Sequence, residues 1–299
     1  MKRVLLACVL TAVLFTVYRL TGLWLGDFLD SYRLSRFEDL TLLYAIVPGY
    51  WLAASKLIQS RTQHAYQALR SPADKNSGAT GIKPAALAAG AVIGFIYGAW
   101  DMSASKGPGI EYVVLEWCLR FGNGFVWLCS GMLFAWRMTH ARRLYRLGQQ
   151  VEVDPLNLTR LRPLGSMATT DVLIIMGAMA LTPLQSMSSD FIFADYRVAF
   201  AVGIAASLIF LIVPQLGIHQ QARRAKQDRL QRLQTQIDAA DPEAYASMET
   251  LLSHRDRLQQ APTWPTDTKG FGRAIFYLVV PPLAWVGAAF VERGIDQLF

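Results

Sequence analysis

Two ionisable residues, Glu116 and Arg120, stand inside an otherwise apolar stretch running from Tyr112 to Trp136. Four residues apart, they share one face of a helix, and Asn123 lies one turn further along it. A lone charge in hydrocarbon is costly, so such residues need a partner or a wet cavity. The stripe suits the lining of an ion or solute path, and equally a structural ion pair between helices. Asp101 and Glu111 would stand at an outer mouth of that path, where acids attract cations. Asp171 enters a different apolar block near one end, where capping or pairing is the expected role and function the alternative.

Other chemistry lacks its signature. There is no phosphate loop, dinucleotide glycine pattern, zinc-protease motif or serine nucleophile elbow. Gly122-Asn123-Gly124 lacks the spacing of a phosphate site, and no Ser–His–Asp set assembles by spacing. His64, His140, His219 and His254 are scattered, so no metal site is expected. Cys118 and Cys129 are eleven residues apart on one apolar segment, roughly 16 Å along a helix, too far for a disulfide. No cofactor and no catalytic residue is expected, and enzymatic activity is the least supported class.

The elements that would position these residues are apolar helices. The chain has 299 residues, of which 53% are hydrophobic and only 17% charged. The apolar residues lie in seven blocks: Val4–Val17 (extending toward Leu25), Leu40–Leu57, Pro84–Trp100, Tyr112–Trp136, Ala168–Leu184, Val198–Ile218 and Ile275–Val291. A span of the hydrocarbon core needs about 20 residues, so the shorter blocks need tilt, thinning or polar flanks. The fold expected is an all-α transmembrane bundle of about seven spans, with six or eight as alternatives. The first block follows Lys2 and Arg3 like a signal peptide, but no small-residue cleavage site follows, so an uncleaved anchor is expected.

Charge placement orients the bundle. The net charge is +7. With the N-terminus inside, 22 of the 29 Lys and Arg residues fall in the tail and segments 56–83, 137–167 and 219–273, while six fall outside and Arg120 lies within a span. That is the positive-inside bias of a multi-pass protein of a bacterial cytoplasmic (inner) membrane, with its C-terminus periplasmic or outside. The lipid bilayer is thus the first expected partner. Anionic headgroups account for Arg223, Arg224 and Lys226 better than nucleic acid does, and no nucleic-acid partner is expected.

Three domains follow. Residues 1–218 hold six spans and short loops, 219–260 form a cytoplasmic antiparallel helical hairpin, and 261–299 hold an interfacial turn and the last span. In the hairpin, Leu230, Leu233 and Ile237 face a second stripe of Tyr245, Met248, Leu252 and Leu258, with the turn at 239–241. Its first helix should continue from the sixth span, and a thin stripe pair of this kind invites another copy or a protein partner. Residues 27–38 suit an interfacial helix or a folded loop. Segment 138–151 should extend the fourth helix, and Asp154-Pro155 should turn the chain.

Ala86, Gly90, Gly94 and Gly98 recur every four residues and give the third span a smooth helix-packing face, within the chain or in a homo-oligomer. Pro48, Pro214, Pro281 and Pro282 are candidate helix breaks of the kind found at transport sites, although bent packing helices are the commoner outcome.

Three short motifs, Val153-Asp154-Pro155, Pro214-Gln215-Leu216-Gly217-Ile218-His219 and Pro262-Thr263-Trp264-Pro265-Thr266-Asp267, together resemble an uncharacterised family of prokaryotic multi-span membrane proteins. The resemblance covers roughly residues 150–290 and implies a soluble helical insertion before the last span. The glycine-rich run expected after Asp154-Pro155 is missing, and no catalytic residue carries over. The resemblance bears on architecture and not on function. The charged stripe, the smooth third span, the projecting hairpin and the prolines lead to three expected functions in order: an oligomeric ion channel or small-solute conduit, a membrane scaffold or signalling protein whose 219–260 hairpin binds a partner, and a secondary transporter.

Overall fold

The computed structural model describes residues 2–69, 84–101, 110–186, 193–239, 245–266 and 270–279. Eight α-helices occur there: α1 Lys2–Leu25, α2 Ser31–Leu69, α3 Pro84–Asp101, α4 Ile110–Gln150, α5 Arg162–Met179, α6 Phe193–Asp238, α7 Tyr245–Gln260 and α8 Gly270–Val279. Short 3-10 turns at Leu158–Leu161 and Thr182–Ser186 flank α5, and no strand occurs among the described residues. The protein is all-α. Five of its helices are long and apolar enough to cross a membrane, while α3 and α8 are shorter apolar helices. Pro281 and Pro282 lie outside the described residues.

Several helices outrun the apolar block that nucleates them. The 41 residues of α4 span about 60 Å, because helix-favouring Arg, Leu and Gln follow Trp136 without a breaker until Asp154-Pro155. Asp154 closes that turn by accepting the N–H of Leu156 at 3.2 Å. In the same way α6 continues from its apolar half into the charged run ending at Asp238. Residues 31–38 are the opening turns of α2 rather than a separate interfacial helix. Asp30 caps them by accepting the N–H of Arg33 at 2.8 Å.

Neither Pro48 nor Pro214 interrupts its helix; α2 and α6 run through both. At Pro214 the ring removes a donor from the turn. The side-chain amide of Gln215 donates to the carbonyl of Leu211 at 2.7 Å, adding a partner where the helix is weakened.

Successive helices alternate in direction. Gly22 on α1 meets Phe37 on α2, and Gly49 meets Ala7, which fixes an antiparallel register; a Cβ on Gly49 would stand 3.1 Å from the Ala7 carbonyl oxygen. α3 and α4 are antiparallel too. α2 runs parallel to α4, with Trp51 on Ser130 and Tyr66 on His140. α5 runs against α2, where the Tyr50 hydroxyl donates to the Ile174 carbonyl at 2.7 Å. This alternation gathers the basic ends of α2, α4 and α6 at one end of the bundle. There Ala65, Leu69, Leu144, Val153, Leu158, Leu161, Leu164, Ile218 and Ala222 close into one core.

Candidate functional site

The best-buried charges among the described residues lie where α2, α4, α5 and α6 converge. α4 supplies Arg137, the residue directly after its apolar block, and α5 supplies Asp171, the only charged residue of its own block. The Arg137 Nη2 donates to Asp171 Oδ2 in an ion pair whose two side chains are each 2% exposed. Arg137 Nη1 donates to Thr62 Oγ1 on α2 at 2.7 Å, and that hydroxyl donates in turn to the Ile58 carbonyl at 2.7 Å. The rings of Trp136 and Phe210 lie 5.9 and 6.0 Å from the guanidinium carbon, at the outer limit of a cation–π contact. One turn along, the Tyr66 hydroxyl meets His140 Nδ1 at 3.0 Å.

This centre is not fully satisfied. Arg137 Nε and Asp171 Oδ1 are buried and have no hydrogen-bond partner among the described residues. A carboxylate offers about four acceptor sites, so Asp171 retains capacity for a proton, a water or a cation. Buried polar groups are normally paired, so the two unpaired atoms here call for an explanation, a bound water or ion among them.

A second polar cluster joins two distant stretches of the chain. His219 stacks on Trp264 with ring centroids 4.2 Å apart, and its Nδ1 lies 3.3 Å from the Thr263 carbonyl. Thr266 Oγ1 donates to the buried Gln215 Oε1 at 2.5 Å. The stretch after Pro214 and the stretch after Pro262 are therefore one contact, tying the chain beyond α7 to α6.

The residues singled out by spacing fall elsewhere. Arg120 and Glu116 pair with each other at 2.6 Å, with side chains 41% and 30% exposed, on the outward side of α4 among Val113, Trp117 and Phe121. Asn123 points into the α3–α4 contact, where its Nδ2 donates to the Gly98 carbonyl at 2.8 Å. Gly90, Gly94 and Gly98 face Gly131, Trp127 and Asn123 in turn; a Cβ on Gly90 would lie 2.5 Å from the Gly131 carbonyl oxygen. Ala86 is half-buried one turn earlier. Glu111 stands in the first turn of α4, and the side chain of Asp101 lies outside the described residues.

Arg137, Thr62 and His140 were not singled out by spacing. Arg137 reads as the first residue of a basic segment; the available signal was that it abuts the apolar block without a spacer, as Asp171 does in its own. No group of three His, Cys, Asp or Glu side chains able to hold a metal occurs among the described residues. No family model, curated protein or solved structure matches this chain.

Proposed function

We propose that this chain is a multi-span protein of a bacterial cytoplasmic membrane and that its bundle conducts ions or small solutes past the Arg137–Asp171 centre. One observation carries this reading: hydrocarbon is exposed on the outside of the bundle while an ion pair, Arg137–Asp171, is buried in its otherwise apolar interior. Leu5, Leu6, Val13, Val17, Leu20 and Leu23 of α1 are each 54–67% exposed, a helix apolar on every side. Water penalises such a surface and a bilayer rewards it. Inside, an ionisable pair with unfilled hydrogen-bonding capacity is what a transport pathway needs and what pure packing avoids. The basic ends of α2, α4 and α6 meet at one end, as positive-inside insertion requires.

The ion pair is sealed between helices, so passage requires α4 and α5 to part at Arg137. That favours a gated conduit over a standing pore. The outward Glu116–Arg120 pair lies amid exposed apolar residues and is best covered by another copy of the chain. Reconstitution of the purified protein in liposomes tests the function. Flux of ions or small solutes above that of empty vesicles is expected, and its loss in Asp171→Asn with the helical content unchanged. No flux across a panel of monovalent ions and small solutes defeats the reading.

A scaffold role is favoured by one feature. α6 carries its charged half well past the bundle, and α7 returns to it at its base through Lys226, whose Nζ donates to the carbonyls of Gln259 and Ala261 at 2.6 and 2.9 Å. Crosslinking from this projection that captures only copies of the same chain counts against a protein partner.

A further inference from the structure

Beside the charged centre, at the basic end of the bundle, an open groove of about 580 Å³ separates the last turns of α2 from the start of α5. The fold creates it from a simple alternation. Leu158, Leu161 and Leu164 bury themselves against Ala65 and Leu69 of α2 and pin the 3-10 turn and the first turn of α5 there. The residues between them must face outward, and these are Arg160, Arg162 and Pro163, with Ser166 one turn on. On α2 the same logic buries Thr62 and Ala65 and turns Arg61 and His64 outward. Two outward faces thus meet across a groove whose lining, among the described residues, holds three arginines, a histidine and no carboxylate.

We propose that this groove binds a phosphate-bearing anionic group, held by Arg61, Arg160 and Arg162. Guanidinium groups match phosphate oxygens with paired donors, which makes arginine the fitting residue here. Arg61 Nη1 already reaches across to Ser166 Oγ at 3.4 Å, so a ligand oxygen between the two helices would meet donors from both. Basic pockets between helices at the inner surface are also where acidic headgroups settle. Two sources share this chemistry: the headgroup of an anionic lipid and a free phosphate. Only the lipid source rests on the membrane reading given above.

Arginine protection in the unaltered full-length chain distinguishes them. The protein is treated with phenylglyoxal in phosphatidylcholine vesicles, in the same vesicles with phosphatidylglycerol added, and in phosphatidylcholine with inorganic phosphate added. Peptide mass spectrometry reads each arginine, with Arg224 at the same end of the bundle as the reference. Several-fold protection of Arg61 and Arg162 beyond Arg224 is expected. Protection by phosphatidylglycerol alone assigns the lipid, and protection by inorganic phosphate assigns a soluble ligand. Protection no greater than at Arg224 in both arms overturns the site. A chain that does not float with vesicles overturns the membrane reading instead, and the phosphate arm then runs in detergent. Arg61→Gln with Arg162→Gln should weaken phosphatidylglycerol retention, read by native mass spectrometry, by about 30-fold, roughly fivefold for each arginine. Where phosphatidylglycerol is the ligand assigned, unchanged retention in a folded double variant equally overturns the proposal.

Discussion

Asn123 on α4 donates to the main-chain carbonyl of Gly98 on α3, 2.8 Å away, at one end of the run in which glycines let the two backbones touch. A polar side chain in an apolar helix is here a cross-brace between neighbours. Asn123→Ala should therefore cost about 0.5–1.5 kcal/mol of stability, the worth of one hydrogen bond. Thermal unfolding in detergent measures it. A change in flux with no change in stability would return Asn123 to the lining of a path.

The glycines of α3 give a sharper test. A side chain on Gly94 would run into the backbone of Trp127, whereas Gly272 on α8 has nothing within 4 Å among the described residues. Gly94→Ala should destabilise by about 1–3 kcal/mol, as overpacking does. Gly272→Ala should leave the unfolding midpoint where it is or raise it slightly, since alanine favours the helix. Equal effects at the two positions would mean that α3 and α4 do not pack along this seam.

At the charged centre the prediction is a reversal. Asp171→Leu alone strands the Arg137 guanidinium in the bundle and should cost about 3–5 kcal/mol. Combining it with Arg137→Met removes both charges and should restore most of that loss while abolishing flux. Unfolding and liposome assays on the single and double variants separate the two effects. Flux that survives in the stable double variant would make the pair structural.

Replacing both Glu116 and Arg120 with glutamine has a different expected signature. Their half-exposed pairing contributes at most about 1 kcal/mol, so the fold of the single chain should persist. Loss of self-association, read as mass in detergent by light scattering, is the expected result if another copy covers this face. Unchanged mass would leave the pair facing lipid headgroups or water.

Sidedness can be read directly. In a chain with its native cysteines replaced, cysteines at His64 and Gln231 should react with an impermeant maleimide from one side of the vesicle, and a cysteine at Asp27 from the other. Labelling of His64 and Gln231 from opposite sides would contradict the common end formed by α2, α4 and α6.

The local pattern of residues determined where helices run. Apolar blocks with helix-favouring flanks predict α4 past Trp136 and α6 past Ile218, because propensity and i, i+4 spacing act within a few turns. The opening of α2 was harder to read. Residues 31–38 mix aromatics with charges, and the local sign that they open a helix is the cap at Asp30, three residues before Arg33. Gly90, Gly94 and Gly98 announced a close contact, but the partner was decided in three dimensions, where α4 meets them with Gly131, Trp127 and Asn123. The charged centre lay further from view. Arg137 and Asp171 are 34 residues apart, and nothing in their spacing couples them. Their pairing depends on α4 and α5 each packing against both α2 and α6, which only the packing of whole helices fixes. The basic groove has the same origin: Arg61 and Arg162 meet because buried leucines between the outward arginines dock one turn against α2, a contact between segments about a hundred residues apart.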